Sequence, residues 1–162
     1  MLNVCNDERM TTTQSRHKKD KYLALDVGDK TVGVAISDEL GTLARGLFTL
    51  ERVGIRKDCG KIIDCIRENN CSVVVVGLPL NLDGTDSVQT EKVREFEKML
   101  SNKLRSVALQ DVLVEFYDER WTSKIADRVM MDAGVSRAKR DEIIDQQAAV
   151  IILQDYLESK RK

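Results

Sequence analysis

Carboxylates are the side chains of this chain whose placement could do chemistry. Asp26 ends the apolar run Leu23-Ala24-Leu25 just before Gly28, Asp118-Glu119 ends the run Val112 to Tyr117, and Asp145 lies on a late helical stretch beside Ala148, Ala149 and Ile152. Each alone has a bland reading, as a turn residue, a strand end or a structural ion pair. Together they bring acids from a first strand, a fifth strand and a C-terminal helix toward one end of a sheet. Such an all-oxygen set suits hard divalent cations, Mg²⁺ or Mn²⁺. Two such ions hydrolyse phosphodiesters by lowering the pKa of a bound water and stabilising the attacking and leaving oxygens. The single histidine, His17, sits in a polar leader, which leaves a Ser-His-Asp or Cys-His mechanism without its base. The four cysteines, Cys5, Cys59, Cys65 and Cys71, form no C-x-x-C pair, so a structural zinc site has no support and reduced thiols are expected.

At 162 residues and 42% hydrophobic, the chain suits one domain with a full core. Charged residues make up 33% yet sum to a net charge of -1, so any nucleic-acid surface must be a local patch. No apolar run has the length of a membrane span and the N-terminus lacks the apolar centre of a secretory signal, so a cytoplasmic protein is expected. Residues 1–20, with Thr11-Thr12-Thr13 and Arg16-His17-Lys18-Lys19, read as a flexible polar leader, and 21–162 as the folded domain.

The elements that must position the acids follow from periodicity. Lys21 to Val27 turns at Gly28-Asp29 into a second strand, Thr31 to Ser37, whose Val32, Val34 and Ile36 alternate with Gly33 and Ala35, an antiparallel hairpin that Ala44 to Val53 extends to a three-strand meander. Arg56 to Glu68 is an amphipathic helix with Cys59, Ile62, Ile63 and Ile66 inward and Lys57, Asp58, Lys61, Asp64 and Arg67 outward, closed by Asn69-Asn70. Cys71 to Val76 is a valine-rich strand expected to be central and parallel to the first. It leads into a loop, Gly77-Leu78-Pro79 to Gly84, and Asp86-x-x-Gln89 has the form of a capping box for a helix over Ser87 to Leu104. After the fifth strand, Thr122 or Ser123 caps a helix ended by Gly134, and Ser136 caps a last helix to Ser159 whose stripe is Ile144, Ala148, Ile151, Ile152 and Tyr156.

These motifs resemble a known family. Asp26-x-Gly28-x-Lys30-x-x-Gly33-x-Ala35, Gly77-Leu78-Pro79, Asp118-Glu119-Arg120-x-Thr122-Ser123 and Asp145-x-x-Ala148-Ala149-x-x-Ile152-Leu153-Gln154 are similar to those of the YqgF (RuvX) family of Holliday junction resolvases, in order from Tyr22 to Leu157. The resemblance implies an RNase H-like α/β fold, a five-stranded mixed sheet with flanking helices. It also implies a metal-dependent nuclease linked to maturation of the small-subunit ribosomal RNA precursor, with resolution of branched DNA the older proposal. It carries Asp26, the Asp118-Glu119 pair and Asp145 over as metal ligands. Related RuvC-type resolvases bear an acid at the end of the fourth strand, where this chain has Gly77-Leu78-Pro79, so Glu119 or Asp118 must supply the missing ligand. Thr31 stands where the family usually has a basic residue.

In the roles so implied, Asp26 bridges two Mg²⁺ ions, Glu119 and Asp145 each complete one, and Asp118 ligates a metal or orients a water. Lys30, Arg120 and Trp121 are the nucleic-acid contacts expected, with Arg137, Lys139 and Arg140 as further basic candidates. The substrate would be an rRNA precursor or branched DNA, the partners those of ribosome assembly or transcription, and the protein a monomer or a homodimer. Two rivals remain at this level. A phosphotransferase of the actin and sugar-kinase type also opens with an Asp-x-Gly hairpin but needs two related domains. A non-catalytic binding module would use the same surface without metal or cleavage.

Overall fold

The computed structural model describes residues 19–120, 134 and 136–162, with side chains from Gln146 onward in the last helix. Among these residues the chain forms β1 (Tyr22–Val27), β2 (Thr31–Ser37), β3 (Ala44–Glu51), α1 (Ile55–Asn69), β4 (Val73–Leu78), α2 (Val88–Ser106), β5 (Leu113–Asp118) and α3 (Arg137–Lys160). The helix expected after Thr122 falls outside the described residues, as do residues 1–18 of the expected leader.

The strands make one sheet in the order β3-β2-β1-β4-β5, antiparallel through the meander and parallel from β1 to β4 and from β4 to β5. This is the mixed five-stranded sheet that the sequence predicts. The strand period of two sorts its faces. Leu23, Leu25 and Val27 enter a core with Ile62 and Ile66 of α1 and Val93, Phe96 and Leu100 of α2. Ala24, Ala35, Val73 and Val75 enter a second core with Ala149, Ile152, Leu153 and Tyr156 of α3. The alanines on that second face, with Gly46, let α3 lie close. A Cβ on Gly46 would stand 3.0 Å from Gln146 Oε1. Gln154 farther along α3 accepts from the Ala44 amide at 2.9 Å, so α3 runs antiparallel to β3. The first half of α3 therefore lies toward the end of the sheet where β1, β4 and β5 finish.

Several boundaries differ from the sequence reading, each for a local reason. β3 stops at Glu51 because the Val53 amide leaves the ladder to donate to Asp58 Oδ1 at 3.1 Å. Asp58 is correspondingly buried, not on the outer face of α1, and Arg52 Nε meets its Oδ2 at 3.1 Å. A charge removed from water needs such a partner, and helical spacing alone cannot reveal it. β4 begins at Val73, since the Cys71 amide turns back to Ile66 O at 3.0 Å, and it runs on through Gly77 and Leu78, which pair with Tyr117 and Asp118. Gly77 is thus a strand residue, not the start of the loop. The buried stripe of α3 is Ala148, Ala149, Ile152, Leu153, Tyr156 and Leu157, with Ile151 only partly covered. The Ile144 side chain lies outside the described residues.

The capping box of α2 is one residue later than predicted. Ser87 Oγ accepts from the Thr90 amide at 3.1 Å and the Ser87 amide donates to Thr90 Oγ1 at 2.9 Å. Asp86 instead holds Arg94 at 2.9 and 3.0 Å, and Gln89 Nε2 donates to Val27 O at 3.1 Å, tying α2 to the end of β1. Replacing Ser87 by alanine should cost about 1 kcal/mol, read as a lower urea midpoint at unchanged slope. Cys59, Cys65 and Cys71 are free and buried, and burial pushes the Cys59 and Cys71 thiols up to about 11.

Candidate metal centre

Strand parity decides which acids can meet. Asp26 follows Ala24 by two residues on β1, Gly77 follows Val75 by two on β4, and Glu119 follows Tyr117 by two at the end of β5. All three therefore lie on the α3 face. The parallel register Leu25↔Val76 sets Asp26 alongside Gly77, and Gly77↔Tyr117 places Glu119 just past the next strand. The Glu119 amide keeps the ladder going by donating to Leu78 O at 3.3 Å.

Gly77 is the seat of this arrangement. A Cβ there would stand 2.8 Å from Glu119 Oε2, 3.0 Å from its Cδ and 2.7 Å from Ile152 Cδ1. The carboxyl of Glu119 thus occupies the space over β4 that any larger side chain at position 77 would fill. Glu119 is 8% exposed, and its carboxyl is pushed up to about 8, first by burial, then by the charge of Asp26, then by Asp118. Asp118 points the other way. Its carboxylate is exposed and gripped by Arg120, with Nη2 at 2.7 Å and Nε at 2.8 Å from Oδ2. Arg120 also donates through Nη1 to Leu82 O at 3.2 Å, so its charge is spent in part on its neighbours.

Of the other expected site residues, Lys30 is exposed beside the β1–β2 turn and Trp121 lies outside the described residues. Asp145 stands in the first half of α3, seven residues ahead of Ile152 and so two turns away, in the part of the helix that lies toward the carboxyl ends of the strands. Its side chain, like those of Arg137, Lys139 and Arg140, is outside the described set. Among the described residues no three potential ligands converge, and the pair present is Asp26 with Glu119. That pair fits a hard cation: both donors are carboxylates, and a positive charge between them offsets the repulsion and burial that hold Glu119 protonated. What sequence reading missed is Gly77, where an absent side chain is the feature. Counting the face of each strand from Ala24, Val75 and Tyr117 was the signal available.

The raised carboxyl has a measurable consequence. A carboxyl at 4.5 when unfolded and about 8 when folded stabilises the fold fully only below 4.5, and that contribution is lost as pH rises through 8. In chelator, Glu119→Gln should match the wild type in urea stability near pH 4.5, exceed it increasingly up to about pH 8, and hold a constant advantage above that. A pH-independent difference would remove the titration from Glu119.

A model of the RuvX family, described as "Holliday junction resolvase", matches residues 20–159. The chain belongs to the RuvX family. Its relatives include proteins named "Putative pre-16S rRNA nuclease" from Clostridioides difficile, 44% identical over 86% of this chain and 95% of the relative, and from Myxococcus xanthus, 41% identical over 87% and 89%. Among solved structures, the Fowlpox virus resolvase bound to Holliday junction DNA superposes with a TM-score of 0.54 at 13% identity, covering 88% of this chain and 99% of that one. The T. thermophilus RuvC complex with its junction substrate gives 0.52 at 14%, covering 88% and 96%. At those identities the likeness is one of fold, and it gives this RuvX chain the RNase H-like architecture of the resolvases. No helix among the described residues is long and apolar enough to cross a membrane.

Proposed function

We propose that this RuvX member is a divalent-metal-dependent nuclease that cuts a phosphodiester in the small-subunit ribosomal RNA precursor, in the cytoplasm, with residues 21–162 as its catalytic domain. The observation that carries the reading is the Glu119 carboxyl seated over Gly77 beside Asp26, an acid pair on the inner face at the carboxyl end of a parallel β1-β4-β5 sheet. Asp26, Glu119 and Asp145 would hold two Mg²⁺ or Mn²⁺ ions. Bound there, the ions supply a water of lowered pKa and neutralise charge on the attacked phosphate.

The chain's own residues prepare that step. Asp26 is fixed by the β1 ladder, with Gly33 as its pair on β2, and the Gln89 bond to Val27 O holds the strand end. Glu119 would release its proton to solvent on taking up a cation, since the charged form would then gain a partner. Asp118, turned outward, orients Arg120 toward the rim, where the guanidinium can meet a phosphate once the substrate competes for it. Lys30 and Trp121 are the further contacts proposed for the nucleic acid.

The test is cleavage in Mg²⁺ and in Mn²⁺ of a structured precursor rRNA fragment beside a four-way DNA junction, with protein free of contaminating nuclease. Cutting of the rRNA fragment in preference to the junction is the expected result. Preference for the junction, with two symmetric nicks, would favour the resolvase reading and a dimer, and inertness toward both would favour a binding module.

A further inference from the structure

Asp26 stands where its strand outruns a neighbour. β1 pairs with β4 up to Leu25↔Val76, so Asp26 and Val27 run past the parallel ladder, and the chain then turns at Gly28, whose amide donates to Thr31 O at 2.8 Å. Side chains from two other parts of the fold take the carbonyls of that end. Gln89 Nε2 of α2 donates to Val27 O at 3.1 Å, and Arg52 Nη1, just past β3, donates to Gly28 O at 2.9 Å. Arg52 also holds the far side of the turn through its backbone, its amide donating to Lys30 O at 2.9 Å. One residue thus grips both arms of the turn that follows Asp26.

Arg52 is itself held. Its Nε donates to Asp58 Oδ2 at 3.1 Å, the other Asp58 oxygen accepts from the Val53 amide at 3.1 Å, and the guanidinium lies 5.4 Å from the centre of the Phe96 ring. The Asp58 side chain is 0% exposed and that of Arg52 19%. A buried ion pair is a poor source of net stability, because the cost of taking both charges out of water offsets their attraction. What this pair contributes is geometric: it aims the guanidinium at Gly28 O. A lysine ammonium, a single point charge, cannot serve Asp58 and Gly28 O with the same fork. We propose that Arg52, oriented by Asp58, is a positioning residue that sets the Asp26 carboxylate for metal binding by holding the turn two residues beyond it. This rests on the nuclease reading above and names two residues outside the metal centre on which that centre depends.

The test compares the full-length wild type with three variants. Arg52→Lys keeps the charge opposite Asp58, Arg52→Met/Asp58→Asn removes both charges together, and Leu104→Val alters the core at the end of α2 far from Gln89. In metal-free protein, hydrogen exchange of the Gly28 amide should quicken about tenfold in both Arg52 variants, while that of Leu25, inside the ladder, stays as it was. Calorimetry should show both variants binding Mn²⁺ about tenfold more weakly. Their kcat on the precursor rRNA fragment should fall about tenfold at unchanged KM, since Arg52 is not placed on the substrate. Leu104→Val should lower the urea midpoint and change none of these. Wild-type Gly28 exchange or wild-type Mn²⁺ affinity in either Arg52 variant would overturn the proposal, and so would equal losses in Leu104→Val. Failure of the nuclease reading is seen separately, as a wild-type protein that binds no Mn²⁺ and cuts no RNA, and Gly28 exchange then still decides whether Arg52 holds the turn.

Discussion

Asp26→Asn should reduce cleavage by more than about 100-fold while leaving the fold and most RNA binding intact. Loss of a group that only orients a metal ligand already costs up to about 100-fold, and Asp26 is proposed to touch the ions themselves. The substitution keeps the volume and removes a charge, so β1 keeps its pairs, Asp26↔Gly33 among them, and the cores on either side of the sheet are undisturbed. The same change withdraws the second cause of the raised Glu119 carboxyl, leaving burial and Asp118. The Glu119 pKa should fall, which carboxyl-selective NMR of the metal-free protein reads directly. A fully active Asp26→Asn protein would contradict the assignment of that residue.

Gly77→Ala should be costly in two separable ways. The added methyl meets Ile152 Cδ1 at 2.7 Å and Glu119 Oε2 at 2.8 Å, and contacts that short force both side chains to move. Overpacking of this kind costs about 1–3 kcal/mol. Ile152 is buried in the α3 core and has little room, whereas Glu119 ends a strand and can swing out, so the carboxyl is the group displaced. Activity should therefore fall along with stability, by an amount comparable to loss of Glu119 itself. Adding Ile152→Val removes the Cδ1 methyl and should recover much of the stability but not the cleavage. Recovery of both would mean that the clash with Ile152, and not the seat of Glu119, sets the effect.

The fold was legible because its signals are short-range and repeated. In β2 the large Val32, Val34 and Ile36 alternate with the small Gly33 and Ala35, and Val93, Phe96 and Leu100 mark the inner face of α2, so strand and helix follow from period. Asp58 was illegible for the converse reason: one helix position can be buried by partners, here Arg52 and the Val53 amide, that periodicity does not name. The candidate acids Asp26, Asp118 and Glu119 are visible as residue types at strand ends. Which of Asp118 and Glu119 turns inward is not, until Leu78↔Asp118 fixes the last pair of β5 and gives Glu119 the parity of Tyr117. Gly77 reads as loop because a glycine carries no hydrophobic signal, although its lack of a side chain is what leaves room for the Glu119 carboxyl.

The most direct measurement of the central claim is calorimetric titration of Mn²⁺ into the wild-type protein and into Asp26→Asn, Glu119→Gln and Asp145→Asn. Two ions per chain are expected in the wild type, with protons released above the buffer blank because Glu119 must ionise. Each variant should lose at least one ion, and Glu119→Gln should also lose most of the proton release. Unaltered stoichiometry and affinity in all three variants would contradict a metal centre built from these carboxylates.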